Sequence, residues 1–308
     1  MRERFVAMMA VALIVSSQSP AFAWNSTGHR VVALIAYKSL DNATKVKVAA
    51  VLKAHPAYDS LWQDRDVNSP NDAKANLFIN AATFPDDARV PSNGFSHYNH
   101  RTNHYVNFKL DSDDHIGDAV GDGNLLLSFQ QNLKLTKDAN SPEDRAVALS
   151  WVFHQVGDAH QPLHAVARFS DAFPQGDEGG NLVKPFPDPR GKYKELHAYW
   201  DDLLGSDHGV NTFDELESIA GEIMNASPAD NRDSKTLDIL VWTKTEGAPI
   251  ARDVVYGPLG SAIDDQTGFR RLPSGYESTA QSTARKRIAL AGYRLAEQLK
   301  VLVSANGN

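Results

Sequence analysis

The segment His154-Gln155-Val156-Gly157-Asp158-Ala159-His160-Gln161-Pro162-Leu163-His164 puts three histidines and an aspartate within eleven residues. The residues before it read as a helix. Ser141 can cap its start, Pro142 suits the first helical position, and Glu143 and Asp144 lie favourably against the helix dipole. Ala146, Val147, Leu149, Val152, Phe153 and Val156 give that helix a broad apolar surface. His154 and Asp158 fall one turn apart and share a side. Pro162 lacks an N–H and would clash with the carbonyl of Asp158, so the helix should end or kink near it. His164 then returns to the same neighbourhood from another direction. Two imidazoles and a carboxylate converging in this way make a metal-site pattern. His160 reads instead as an ordinary surface or hydrogen-bonded histidine.

The chain has no cysteine, so any bound metal must use nitrogen and oxygen ligands. Its start reads as a secretory signal over residues 1–23. Arg2 and Arg4 open it, Phe5 to Val15 is an apolar run too short to span a membrane, and Ala21-Phe22-Ala23 is a small-x-small cleavage site. The mature protein is then expected to begin at Trp24, to be exported to the periplasm or beyond, and to form one domain over 24–308. The formal charge is −7, and losing Arg2, Glu3 and Arg4 makes it −8. An acidic chain without a basic run is no electrostatic nucleic-acid binder on its own. A polyanionic substrate would need bound cations to supply local positive charge. No later apolar run is long enough for a membrane helix, so no stable membrane association is expected, and the protein is expected to act as a monomer.

The rest of the chain reads as mainly α: one domain of packed helices with a short β-hairpin or extended patch. Helices are expected from Ser26 to about Leu40, from Asp41 or Asn42 to Ala54, around Leu77 to Ala82, and from Leu125 to Leu135. Others are expected from near Lys194, at 212–225, at 235–246 with more helix possible up to Tyr256, and from Glu277 to Val303. Pro56 to Asn71, Asp111 to Asp122, and 168–192 read as loops, the last holding Gly179-Gly180-Asn181. His104 to Phe108 alternates like a short strand. His197 and Asp201 repeat the one-turn spacing of His154 and Asp158.

These segments together resemble the S1/P1 nuclease family. The matching motifs are Trp24-x4-His29, Phe84-Pro85-Asp86-x2-Arg89, His104-Tyr105-Val106-Asn107, His154-x3-Asp158-x-His160-Gln161-Pro162-Leu163-His164, Gly176 to Asn181, and Leu196-His197-x2-Trp200-Asp201, with Ala289 to Ala296 near the end. The resemblance spans the mature chain and implies a phospholipase C/P1 nuclease-like helical fold. It implies three Zn²⁺ per chain: one on Asp86, His104, His154 and Asp158, one on Trp24, His29 and a shared Asp158, and one on His164, His197 and Asp201. The implied activity is endonucleolytic hydrolysis of single-stranded RNA and DNA to 5′-phosphorylated products, with 3′-nucleotidase activity. Asp86, Arg89 and Asp158 would serve catalysis, Arg89 by donating to charge on the phosphate. Tyr105 stands where relatives stack an aromatic on a base. Asn107 stands where several have aspartate, which leaves their base preference unsupported here, because an amide both donates and accepts.

The alternative enzyme class is a zinc-dependent phospholipase C, which shares the fold and the N-terminal tryptophan ligand. Those enzymes have a longer gap from that tryptophan to the first histidine and a glutamate ending the last ligand pair. Here the gap is four residues and the pair ends in Asp201. A non-catalytic zinc protein is the other alternative. Structural zinc sites are usually closed and four-coordinate, whereas two of the three implied here have only three contributing residues.

Overall fold

Asn25 opens the first helix by accepting the Gly28 N–H at 3.1 Å through its side chain. Helix α1 (Ser26–Lys38) is apolar nearly all round, with Val31 to Ala36 buried, so it runs through the interior. Asp41 caps α2 (Asn42–Leu52) by accepting from Thr44 N and Oγ1. Helix α3 (Ala73–Asp87) keeps helical form through Pro85 in its last turn, where Asp86 sits. The computed structural model describes residues 24–62, 72–183, 186–187, 193–205, 212–230, 232–264 and 272–304. The signal segment expected over 1–23 lies outside these.

Three short strands follow. β1 (Phe108–Leu110) pairs antiparallel with β2 (Ile116–Ala119). Helix α4 (Leu125–Asp138) comes next, then α5 (Pro142–Asp158), which Ser141 caps through Asp144 N as expected. β3 (Val166–Arg168) runs parallel to β1. A two-stranded pair, β4 (Phe186–Pro187) and β5 (Tyr193–Lys194), precedes α6 (Leu196–Asp201). Helices α7 (Phe213–Ala226) and α8 (Tyr276–Ser304) complete the fold, with a winding helical segment over 239–264 between them.

α1 packs against α3, α5, α7 and α8, and α5 packs in turn against α3 and α4. Gly292 lets α8 come close to α1: a Cβ there would lie 2.5 Å from Ile35 Cβ. The fold is mainly α with a small sheet, as the sequence indicates. No helix among the described residues is long and apolar enough to cross a membrane.

Several expectations need correction. The strand expected over His104 to Phe108 begins only at Phe108, and His104 ends a tight turn, Arg101–His104. The backbone between them is bonded to the turn after α5. Val106 N donates to His164 O at 2.8 Å, and His164 Nδ1 lies 2.6 Å from His104 O. The acidic stretch read as loop holds β2, reached through Asp114 in the left-handed region at φ 61°. Residues 168–192 contain the start of the β4–β5 pair. The helix expected over 235–246 starts at 239 and runs on through wide turns at Val241–Gly247 and Ala251–Tyr256. Pro249 lies between them, and a regular helix would set its ring against the carbonyl of Thr245.

His160 is a structural residue. Its Nδ1 lies 2.7 Å from Val156 O, and Arg294 Nη1 donates to its Nε2 at 2.9 Å. Burial holds its imidazole neutral, as an acceptor for that arginine. Arg287 and Arg294 share Glu246 as their counter-ion, which offsets the cost of placing two guanidinium groups in the core.

Candidate metal centre

Helix α5 ends at Asp158, Pro162 opens a single tight turn to His164, and α6 carries His197 and Asp201. Together with α1, the end of α3 and the Arg101–His104 turn, these elements bring three groups of candidate ligand atoms together. They are His29, His154 and Asp158; Asp86, His104 and His154; and His164, His197 and Asp201. All of these side chains are buried except that of Asp86, which is 11% exposed.

The spacings suit a tetrahedral ion. Ligands about 2.0–2.1 Å from zinc stand roughly 3.3 Å from one another. His104 Nδ1 is 2.9 Å from His154 Nε2 and 3.1 Å from Asp158 Oδ2, and His154 Nε2 is 3.7 Å from Asp86 Oδ1. His29 Nε2 is 3.4 Å from Asp158 Oδ1. His164 and His197 meet at 3.0 Å through their Nε2 atoms, with Asp201 Oδ2 3.6 Å from His197. Both ring nitrogens of His29, His104 Nε2 and Asp158 Oδ1 are buried without a hydrogen-bond partner. Such atoms are costly unless something binds them.

Protonation agrees. Burial holds His29, His104 and His164 well below the usual histidine range and brings His154 down to about 3. Neutral imidazole is the ligating form. Burial and the neighbouring Asp86 charge push the Asp158 carboxyl up, and a cation between its oxygens would reverse that.

The candidate ligands are held from behind. His154, His164 and His197 each set Nδ1 against a backbone carbonyl, that of Ala82, His104 and Gly179 respectively, at 2.6–2.8 Å, leaving Nε2 for the cluster. Gln161 accepts from Leu163 N at 2.6 Å, so its NH₂ must face Asp201 Oδ1, 2.7 Å away. Gly157 makes room for His29, since a Cβ there would lie 2.7 Å from His29 Nδ1. His29 stacks flat on His154 with ring centres 3.9 Å apart.

A cavity of about 450 Å³ opens onto the cluster through His104, His164 and His197. Arg89, Tyr105, Asn107 and Asn181 line it, as do Arg101, Asp122 and Glu178, which sequence reasoning did not single out. Arg89 Nη2 is 3.1 Å from Asp86 Oδ1, and its side chain is only 10% exposed. Arg89 is therefore no surface arginine. Asn181 Nδ2 donates to Glu178 O and orders its loop. In that loop Asp177 is buried, accepting from Arg168 N and the Tyr256 hydroxyl, and burial raises its carboxyl to about 6.

Trp24 is fully buried against Gly28, where a Cβ would lie 2.5 Å from Trp24 Cβ. Next to it, Asn25 N donates to Asp201 O at 3.3 Å. The first described residues are thus fixed beside both α6 and His29.

A helical body that buries three His/carboxylate groups under an arginine-lined cavity defines a metal-dependent hydrolase of phosphate esters as the class. The S1/P1 Nuclease family model matches residues 24–304, and the chain belongs to that family. It is 24% identical over 299 residues to Nuclease S1 of Aspergillus oryzae, covering 92% of this chain and 93% of that protein. It is 23% identical over 315 residues to Endonuclease 3 of Arabidopsis thaliana, covering 97% and 96%. The protein is accordingly a nuclease, a hydrolase of nucleic acid phosphodiester bonds.

Proposed function

We propose that this nuclease carries three zinc ions, cuts single-stranded RNA and DNA endonucleolytically to 5′-phosphorylated products, and also removes 3′-phosphates from nucleotides. The ligands are Asp86, His104, His154 and Asp158 for one ion; the amine and carbonyl of Trp24 with His29 and Asp158 for the second; and His164, His197 and Asp201 for the third. The observation that carries this reading is the burial of three ligand groups behind one cavity lined by Arg89 and Tyr105. Three Zn²⁺ bring +6 against −3 from Asp86, Asp158 and Asp201, so an acidic protein gains a positive floor for phosphate. Bound zinc supplies Lewis acidity and a water that ionises near neutrality. The chain acts as a monomer in this reading.

Arg89 donates to the charge that builds on phosphate, with Asp86 fixing its direction. Arg89→Ala is expected to leave metal content intact and lower kcat on single strands roughly tenfold to a thousandfold. An unchanged kcat would remove Arg89 from catalysis.

Tyr105 offers its ring to a base, and single strands are preferred because only they let a base stack while the phosphate reaches recessed metal. Tyr105→Ala should raise KM for oligonucleotides. Equal rates on duplex and single strand would remove the stacking argument. The test of the whole reading is product analysis on defined single- and double-stranded oligonucleotides with zinc present, run beside phosphatidylcholine. Hydrolysis of the lipid in place of the oligonucleotides would transfer the site to the phospholipase C reaction.

A further inference from the structure

The cavity wall farther along the chain from His104 carries polar groups that the ligand clusters do not use. Tyr105 donates its hydroxyl to Asp122 Oδ1 at 2.9 Å. Gly123 presses against the same tyrosine, since a Cβ there would lie 2.8 Å from Tyr105 O and 3.0 Å from its Cδ2. Gly121, in the left-handed region at φ +76°, brings the chain beside Asn107, whose Nδ2 would be 3.7 Å from a Cβ at that glycine. Tyr105, Asn107, Gly121 and Asp122 thus form one continuous wall of the cavity. Among the described residues, Asp122 Oδ2 and the Asn107 side-chain amide have no protein partner. The ring is pinned, and beside it stand one group that only accepts and one that can donate.

From this wall, and resting on the single-strand nuclease reading above, we infer that Asp122 and Asn107 select guanine for the position against Tyr105. The Watson–Crick edge of guanine presents one acceptor, O6, followed by two adjacent donors, N1–H and the 2-amino group. The Asn107 amide meets the acceptor, and the Asp122 carboxylate meets both donors. Uracil and thymine offer a single N–H between two carbonyls, so a carboxylate gains one bond and faces two repulsions. Adenine and cytosine place an acceptor beside their amino group. No other common base has two neighbouring donors. Asp122 reads the base, and its bond to Tyr105 ties the reader to the stacking platform.

The test uses zinc-loaded protein and single-stranded RNA heptamers of adenosine with one central variable nucleotide bearing guanine, hypoxanthine or uracil, with cleavage mapped bond by bond. Cleavage beside guanine should exceed cleavage beside uracil by about tenfold, the worth of one charge-assisted hydrogen bond. Hypoxanthine, which lacks the 2-amino group, should fall between. Asp122→Asn should bring guanine and uracil within about twofold. Tyr105→Phe, which keeps the ring but releases the carboxylate, should reduce the ratio part of the way. Cleavage that ignores the central base, or a guanine preference that survives Asp122→Asn, overturns this inference and leaves the nuclease reading standing. Failure of the wild type to cut any heptamer overturns the single-strand reading and this inference with it.

Discussion

Asp158→Asn is expected to cost more than one zinc per chain and nearly all hydrolysis. The reason is the way Asp158 divides its two oxygens. Oδ1 faces His29 Nε2 at 3.4 Å, while Oδ2 faces His104 Nδ1 at 3.1 Å and His154 Nε2 at 3.4 Å. One carboxylate therefore faces two adjoining groups of candidate ligands at once. Asparagine has nearly the same shape, so the fully buried site should still pack. An amide is neutral, however, and whichever way it turns it aims an NH₂ at one of the two groups. That loses a ligand and half of the negative charge that lets two cations sit side by side. Elemental analysis should show the loss directly, and circular dichroism should show the helices intact. Full metal content in the variant would contradict the bridging assignment.

The features that reveal this centre in the sequence are those set by helical geometry. The spacing His154-x3-Asp158 and His197-x3-Asp201 needs only a helix to bring the side chains together, and both stretches are helical. Pro162 marks the end of α5, and the turn it opens delivers His164. The candidate ligands Asp86 and His104 stand far from the central motif in the chain, and only the family resemblance joins them to it, because no local rule predicts long-range convergence. For the same reason the backing of the ligands was not legible. Gln161 lies inside the central motif, yet its bond to Asp201 spans forty positions. Gly157 reads as a mild helix weakener until His29 is seen to occupy the space a side chain would need. The misplaced strand at His104 has a related cause. Alternating polar and apolar residues predict extended backbone, but here the hydrogen bonds go to the turn after α5 before a regular ladder starts. Arg101, Asp122 and Glu178 reach the cavity from exposed loops, where charged residues carry no periodic signal.

Placing an uncleaved Gly-Ser before Trp24 is expected to remove one zinc and most activity, compared with a protein that starts at Trp24. Trp24 is buried at the point where Asn25 is bonded to Asp201 and where α1 leads within one turn to His29. Within a longer chain its nitrogen is an amide, whose lone pair is delocalised into the peptide bond and binds metal poorly. In a protein that starts at Trp24 it would be an α-amine with an ordinary pKa of about 7.7–8.0, which a metal can depress further by competing with the proton. Amine and carbonyl of one residue can then chelate together, and His29 and Asp158 complete the protein side. If a signal segment ends at Ala23, as the sequence reading expects, its removal would assemble the centre and couple export to activation, and the precursor would spare the RNA of the cell that makes it. The alternative is that Trp24 only fills the core against Gly28. The two differ in a measurable way, because an extension that leaves the indole seated would disturb neither metal nor rate under the packing account. Zinc content by elemental analysis and kcat on a single-stranded oligonucleotide, measured on both proteins after confirming equal thermal stability of their zinc-free forms, decide between them. Equal zinc and equal rates would leave Trp24 as a packing residue and uncouple activation from cleavage.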